Sequence, residues 1–285
     1  MHKKLVDVRK LVREKYRGPV PGFLLSYLEN LVHQDELNEL MQLQDYVDGV
    51  DLSNRLIERL GITVDLIGSG CLPAPQGRVL FASNHPLGGA DGIVLTAVLG
   101  NCYRKRFHVM VTDLLMQVWQ MRDVFVPINK YGSQSREKGM DLLSAMESDA
   151  QILTFPAGAV SRKGVGGLIR DGEWRPSFAK MAKRYERDIV PVYFEGQNSD
   201  RFYRVEQMRS KLGIKFNIGT LLLPSEFLGA KGKSFKIYIG ERIPYDTIPV
   251  GPEIKNFSSH LHDLIYTFPD RFVADDTQRF IPQIP

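Results

Sequence analysis

The sequence predicts an α/β fold: a mostly parallel or mixed central sheet flanked by helices on both faces, with an N-terminal helical appendage. Three observations carry that expectation. Short apolar runs such as Val79-Leu80-Phe81-Ala82-Ser83 and Ile189 to Phe194 have the length and the β-branched or aromatic content of buried strands. Segments of helical spacing fall between them, and strands alternating with helices build a sheet covered on both sides. The first 60 residues hold helical segments and no strand-like run, so 1–60 is read as a helical region and 61–285 as the α/β domain. With 285 residues, 43% of them hydrophobic, the chain can fill a core of that size.

The elements follow in order. Residues 1–17 carry Lys3, Lys4, Arg9, Lys10, Arg13, Lys15 and Arg17 against Asp7 and Glu14, with Leu5, Val8, Leu11 and Val12 at roughly helical spacing. This suits either a basic amphipathic helix lying on anionic lipid or a solvated helix packing its apolar stripe on the domain. Gly18-Pro19-Val20-Pro21-Gly22 breaks it. Helices are expected over 23–32, 35–46 and 52–60. A strand at 62–67 and a Gly/Pro-rich loop through Gly77 open the α/β part. After the strand at 79–83 come a helix containing Ile93 to Leu99, a strand at 107–111, a helix at 114–121 and a short strand at 124–128. A helix at 133–147 leads into a strand at 151–155. A helix at 177–185, strands at 189–194 and 235–239, and a helix at 254–266 close the domain.

The net charge of +4 is compatible with anionic lipid surfaces or acidic carrier proteins, and is too small and dispersed to point to nucleic acid. Cys71 and Cys102 lack C-x-x-C spacing, so neither a metal site nor a disulfide framework is expected, and a reducing cytoplasm is the default. No run of about 18 apolar residues is present to span a bilayer, and the N-terminus has no apolar signal core. The expected location is cytoplasmic, with any membrane association peripheral and on the inner face.

Two stretches carry chemistry. In Asn84-His85-Pro86-Leu87-Gly88-Gly89-Ala90-Asp91-Gly92 a histidine and a carboxylate share one glycine-rich turn between a strand and a helix. Histidine takes and returns a proton near neutral pH, and a carboxylate partner fixes its tautomer and stabilises the imidazolium, so the pair suits deprotonation of a hydroxyl or amine. Helix capping by the same two residues is the alternative. The second stretch is Phe155-Pro156-Ala157-Gly158-Ala159-Val160-Ser161-Arg162, a turn at a strand end whose backbone amides and basic residues suit a phosphate, a carboxylate or an oxyanion. A solvated basic loop has the same composition.

The first stretch resembles the N-H-x-x-x-x-D signature of the lysophospholipid/glycerolipid acyltransferase superfamily, with one extra residue between His85 and Asp91 that Gly88 and Gly89 must absorb. The variant N-H-P-x-G-x-x-D-G is similar to that of a bacterial hemolysin-like branch that includes O-acyltransferases making amino-acid lipids. Phe155 to Arg162 resembles that branch's F-P-A-G-E-V-S-R, with Ala159 in place of its glutamate and Ala157 at the glutamate position of the superfamily's F-P-E-G-T-R-S. Without those carboxylates an anionic acceptor head group is favoured. Phe194 to Phe202 is similar to the branch's F-x-G-x-N-S-x-x-F, in which Asn198 and Ser199 are expected to cap a helix or close the site.

The resemblance, which covers about residues 60 to 245, implies an O-acyltransferase. It assigns His85 and Asp91 to catalysis, and Asn84, Gly88, Gly89, Phe155, Pro156, Gly158, Ser161 and Arg162 to substrate binding. An acceptor-site arginine is expected near the short strand at 124–128, with Arg122 the candidate carried forward and Lys130 or Arg136 as neighbours. The donor would be acyl carrier protein or a CoA thioester, the acceptor a lyso-amino-acid lipid or lysophosphatidate, with no metal and no other cofactor. Amides near Gly88 or in the Gly158 turn would meet the oxyanion. Leu114 to Trp119 or Leu221 to Pro224 would line an acyl groove. Two other classes stay in view: a catalytically inactive lipid-binding protein on the same fold, and a hydrolase using Ser83 or Ser161, which neither a G-x-S-x-G elbow nor its context supports.

Overall fold

The computed structural model describes all residues except 1–6, 16–17, 41–45, 75, 104, 113–114, 117, 129–141, 213–218, 273–276 and 285. Lys130 and Arg136 lie outside the described residues, as do most of the basic residues beyond Arg9, Lys10 and Arg13 in the first segment and most of the helix expected at 133–147.

An eight-stranded sheet is formed by β1 (Thr63–Ile67), β2 (Val79–Ser83), β3 (Phe107–Val111), β4 (Phe125–Pro127), β5 (Gln151–Thr154), β8 (Asp188–Glu195), β9 (Ser234–Ile239) and β10 (Thr277–Phe280). Its order is β10-β1-β9-β8-β2-β5-β3-β4, and a separate hairpin pairs β6 (Arg162–Lys163) with β7 (Ile169–Arg170). From β8 to β4 the sheet is a parallel block. Beyond β8 the direction reverses: β9 runs antiparallel to β8, β1 parallel to β9, and β10 antiparallel to β1. The sheet is therefore mixed, with a parallel core.

Helices cover both faces because the central strands are apolar on both. Val79 and Phe81 of β2 face one cluster with Leu52 and Leu56 of α4 (Gly49–Arg59) and Val94, Leu95 and Val98 of α5 (Ala90–Cys102). Leu80 and Ala82 face the other, with Met146 of α6 (Leu142–Glu147), Phe178 and Ala182 of α7 (Ser177–Arg184), and Leu261 and Ile265 of α10 (Glu253–Ile265). Near the N-terminus, Val8 of α1 (Val8–Lys15) is buried and Arg9 forks onto Glu29 of α2 (Gly22–Leu31) at 2.8 and 3.0 Å. The next helix, α3 (Gln34–Leu40), sends Leu37 and Leu40 into the α4 cluster. Tyr46, the end of the helix expected at 35–46, is not helical.

One further expectation needs correction, and the structure adds helices that periodicity did not mark. The helix expected at 114–121 is, among the described residues, short turns with a 3-10 segment at Trp119–Met121. Leu115 and Trp119 are exposed, so the run lacks the continuous buried stripe that would hold a helix together. Two helices not expected from periodicity, α8 (Asp200–Lys211) and α9 (Gly219–Leu228), follow β8, and a short α11 (Phe268–Arg271) follows α10. Ser199 does cap α8, accepting from the Phe202 amide at 3.2 Å.

Arg187, at the foot of β8, is fully buried. It donates to the carbonyls of Ala145, Met146 and Ala150 at 3.0, 3.0 and 2.8 Å, collecting the acceptors left over at the end of α6. Burial lowers its pKa to about 10, so it keeps its charge at neutral pH.

Candidate active site

The candidate site sits at the C-terminal end of the parallel block, where β2 and β5 deliver their loops. Asn84 leaves β2 and extends its pairing with β8 through its side chain. The Asn84 Nδ2 donates to Phe194 O at 3.0 Å, and Phe194 N donates to Asn84 Oδ1 at 2.7 Å. The turn then reverses at Gly88, whose φ of +73° favours glycine; a Cβ there would lie 2.4 Å from Val160 Cγ2 and 2.8 Å from Leu223 Cδ2. Gly89 precedes α5, which places Asp91 in the first helical turn, at the positive end of the helix dipole.

The turn closes the five-residue gap between histidine and carboxylate. His85 Nδ1 lies 3.0 Å from Asp91 Oδ2, and the same oxygen accepts from Leu87 N at 2.9 Å and Gly88 N at 3.3 Å, while Gly92 N donates to Oδ1 at 2.8 Å. Asp91 is fully buried and the His85 side chain is 18% exposed. Burial alone would push the Asp91 carboxyl up, but the His85 charge and hydrogen bond and the Leu87 and Gly92 amides bring it below its ordinary 3.8. Burial likewise pushes the imidazole down, and the charge and hydrogen bond of Asp91, with a smaller contribution from Asp171, carry it above its ordinary 6.5. With Nδ1 donating to Asp91, Nε2 is the nitrogen that takes a proton.

Phe155, at the end of β5, stacks on the His85 ring with centroids 4.1 Å apart and planes at 28°. Gly158, at φ +62°, closes the following turn by donating to Phe155 O, and Pro156 O accepts from Arg175 N. Ser161 returns to the first turn: its amide donates to His85 O at 2.9 Å. Its hydroxyl donates to Asp171 Oδ1 at 2.6 Å. Asp171, just after β7, also accepts from His85 N at 3.1 Å and from Trp174 Nε1 at 3.0 Å, and its own amide donates to Tyr266 Oη at 2.7 Å. Asp171, Trp174 and Tyr266 were missed by sequence reasoning. Asp171 lies 86 residues from His85, and neither periodicity nor motif marks it.

The remaining candidates fall in different places. Arg162 stands 3.1 Å from buried Glu206, its guanidinium 5.5 Å from the centre of the Phe202 ring, and its Nη1 is buried without a hydrogen-bond partner among the described residues. Asn198 Nδ2 donates to Pro86 O at 3.2 Å, tying the loop after β8 to the first turn. Arg122 precedes β4, at the opposite end of the parallel block from His85; it is exposed and donates to Met116 O at 3.2 Å. Of the amides expected to meet an oxyanion, Gly88 N faces Asp91 and Gly158 N faces Phe155 O. Ser83 donates to Asn84 O and Ser161 to Asp171, so neither hydroxyl is paired with the imidazole as a hydrolase nucleophile would be. An apolar wall adjoins the dyad turn: Leu222 and Leu223 of α9 cluster with Val160, Phe202 and Tyr203.

Fold and site together define an α/β protein that presents a buried histidine–aspartate pair, suited to abstracting a hydroxyl proton, beside an apolar wall. A family model described as Acyltransferase matches residues 12–260, and the chain belongs to that family. The chain is 39% identical over 266 residues to a lyso-glycine lipid O-acyltransferase of Phocaeicola vulgatus, covering 92% of this chain and 94% of the relative. It is 38% identical to a lyso-glycine lipid O-acyltransferase of Bacteroides thetaiotaomicron, covering 92% and 97%. A crystal structure of the 1-acyl-sn-glycerophosphate acyltransferase of Thermotoga maritima superposes with a TM-score of 0.45 at 10% identity, over 88% of this chain and 94% of that one. Among the described residues no helix is long and apolar enough to cross a membrane.

Proposed function

We propose that this acyltransferase moves a fatty acyl group from acyl carrier protein or CoA to the hydroxyl of a lyso-glycine lipid, working at an anionic membrane surface from the cytoplasmic side. The observation that carries the reading is the His85–Asp91 pair, held at 3.0 Å with Asp91 fully buried. Support for the acceptor comes from the relatives, two lyso-glycine lipid O-acyltransferases aligned over 92% of the chain. His85 Nε2 accepts the proton of the acceptor hydroxyl as its oxygen attacks the thioester carbonyl. The imidazolium is stabilised by Asp91. The C–O bond forms, the C–S bond breaks, and the proton on His85 passes to the departing thiolate, leaving an ester and a free thiol. The co-substrate supplies the acyl group, and no further cofactor or metal enters the scheme.

The apolar cluster of Val160, Leu222 and Leu223 beside Gly88 supports placing the acyl chain there. Arg162 is paired with Glu206 through Nε, and its Nη1, which has no hydrogen-bond partner among the described residues, supports an anionic head group nearby. Mass spectrometry of the lipid product tests the proposal, with lyso-glycine lipid and lysophosphatidate offered side by side. A diacyl glycine lipid as main product supports it; acylated lysophosphatidate alone refutes the acceptor assignment. Lipid binding without any product favours an inactive lipid-binding protein.

A further inference from the structure

We propose that Asp171 is the positioning residue of this site, holding the main chain of His85 while Asp91 holds its ring, an assignment that rests on His85 being the base. His85 belongs neither to β2 nor to α5, and its turn runs on into Gly88 and Gly89. Regular structure does not fix its peptide. Its amide instead donates to Asp171 Oδ1 at 3.1 Å, and its carbonyl accepts from Ser161 N at 2.9 Å. Ser161 Oγ donates to that same Asp171 oxygen at 2.6 Å. The turn carrying the base and the turn after β5 thus share one carboxylate oxygen.

The site requires a carboxylate in particular. Three donors converge on Asp171 (His85 N–H, Ser161 O–H and Trp174 Nε1–H), and only an ionised carboxylate accepts from all without offering a hydrogen of its own. Its amide on Tyr266 Oη, just past α10, ties the group to the far layer. An asparagine would turn an N–H₂ toward one of the three donors.

Burial raises the Asp171 carboxyl above its ordinary 3.8, opposed by the Ser161, Trp174 and His85 hydrogen bonds and the His85 charge, which favour the ionised form; that form adds negative charge near the imidazole. Among the described residues, Asp91 from α5 faces the imidazole with Tyr203 from α8 beside it, and Tyr193 from β8, Arg170 from β7, and His262 and Tyr266 from the end of α10 surround Asp171 and its partner Trp174. Burial pushes the three tyrosines upward, so they stay neutral at working pH. Arg170 stacks over Tyr266 at 4.2 Å and stands 3.6 Å from Asp263. Asp91 and Asp171 are therefore the two carboxylates that favour the protonated imidazole, and removal of either charge lowers the pKa of His85.

The test compares Asp171→Asn and Ser161→Ala with wild type by kcat, KM and the NMR titration of the His85 ring. Asp171→Asn is expected to lower kcat by about 100-fold, the scale of a small misplacement of a catalytic group, with KM little changed, and to lower the pKa of His85. Ser161→Ala keeps the charge, so kcat falls by a smaller factor without a lowered pKa. Wild-type kcat together with an unmoved His85 titration in folded Asp171→Asn would overturn the proposal. If that variant does not fold, wild-type kcat in Ser161→Ala overturns it. The ring titration needs no turnover, so an unmoved His85 titration in folded Asp171→Asn overturns the coupling of Asp171 to His85 on its own, whereas absence of acyl transfer by the wild type overturns the functional reading on which the assignment rests.

Discussion

Replacing Asn84 with alanine separates a clamping role from a substrate contact, because both polar ends of this side chain are already committed to Phe194. Asn84 is 2% exposed, and its bonds of 3.0 and 2.7 Å continue the β2–β8 pairing one step past the last strand residue, Ser83. Alanine leaves one buried N–H and one buried C=O of Phe194 without partners, at about 1–3 kcal/mol each, so a loss of about 2–6 kcal/mol is expected. Against the usual total of about 5–15 kcal/mol, that is a large fraction of stability. Asn84→Asp should cost at least as much, since a carboxylate oxygen then faces Phe194 O. Urea unfolding followed by circular dichroism measures both, with the midpoint shifting at unchanged slope. A change below about 0.5 kcal/mol, the range of ordinary surface substitutions, would refute the clamp.

Gly88→Ala forces an L residue to φ +73° and drives a Cβ within 2.4 Å of Val160, so about 2–5 kcal/mol should be lost, read by the same unfolding assay. Arg187→Met removes the buried guanidinium's hydrogen bonds to the carbonyls of Ala145, Met146, Ser148 and Ala150 in and just after α6 and should cost about 3 kcal/mol or more; a melting temperature within a degree of wild type would contradict that. The dyad makes opposite demands on stability and on activity. The raised pKa of His85 contributes stability that is complete below 6.5 and lost as pH rises through the folded value; the lowered pKa of Asp91 contributes stability that is complete above 3.8 and lost on acidification. The stability difference between wild type and His85→Ala should therefore be greatest between these values. Turnover needs the neutral ring, so kcat/KM should climb with pH through a limb centred above 6.5; a limb centred below it would remove His85 as the titrating base.

Local patterns told most of what local forces decide. The strand runs were legible because β2 and β5 are buried on both faces, and the dyad because histidine, carboxylate and glycines lie within one turn. Ser199 was legible as a cap for a similar reason, since capping is a contact three residues long. Contacts between distant segments were not. Asp171 meets His85 across 86 positions, and Asn84 meets Phe194 across 110. The direction of β9 depends on a long connection through α8, whose many polar residues blur helical periodicity, and α9, which carries Pro224 inside the helix. The apolar stretch around Leu115 and Trp119 misled because composition does not report whether an apolar residue is buried.

The most direct test of the account is thiol release from acyl carrier protein and CoA thioesters, with and without lyso-glycine lipid, for wild type, His85→Ala and Asp91→Asn. Release that depends on the acceptor and falls by about 10²- to 10⁴-fold in His85→Ala, with a partial loss in Asp91→Asn, is the predicted result. Acceptor-dependent release that persists at the wild-type rate in folded His85→Ala would contradict it.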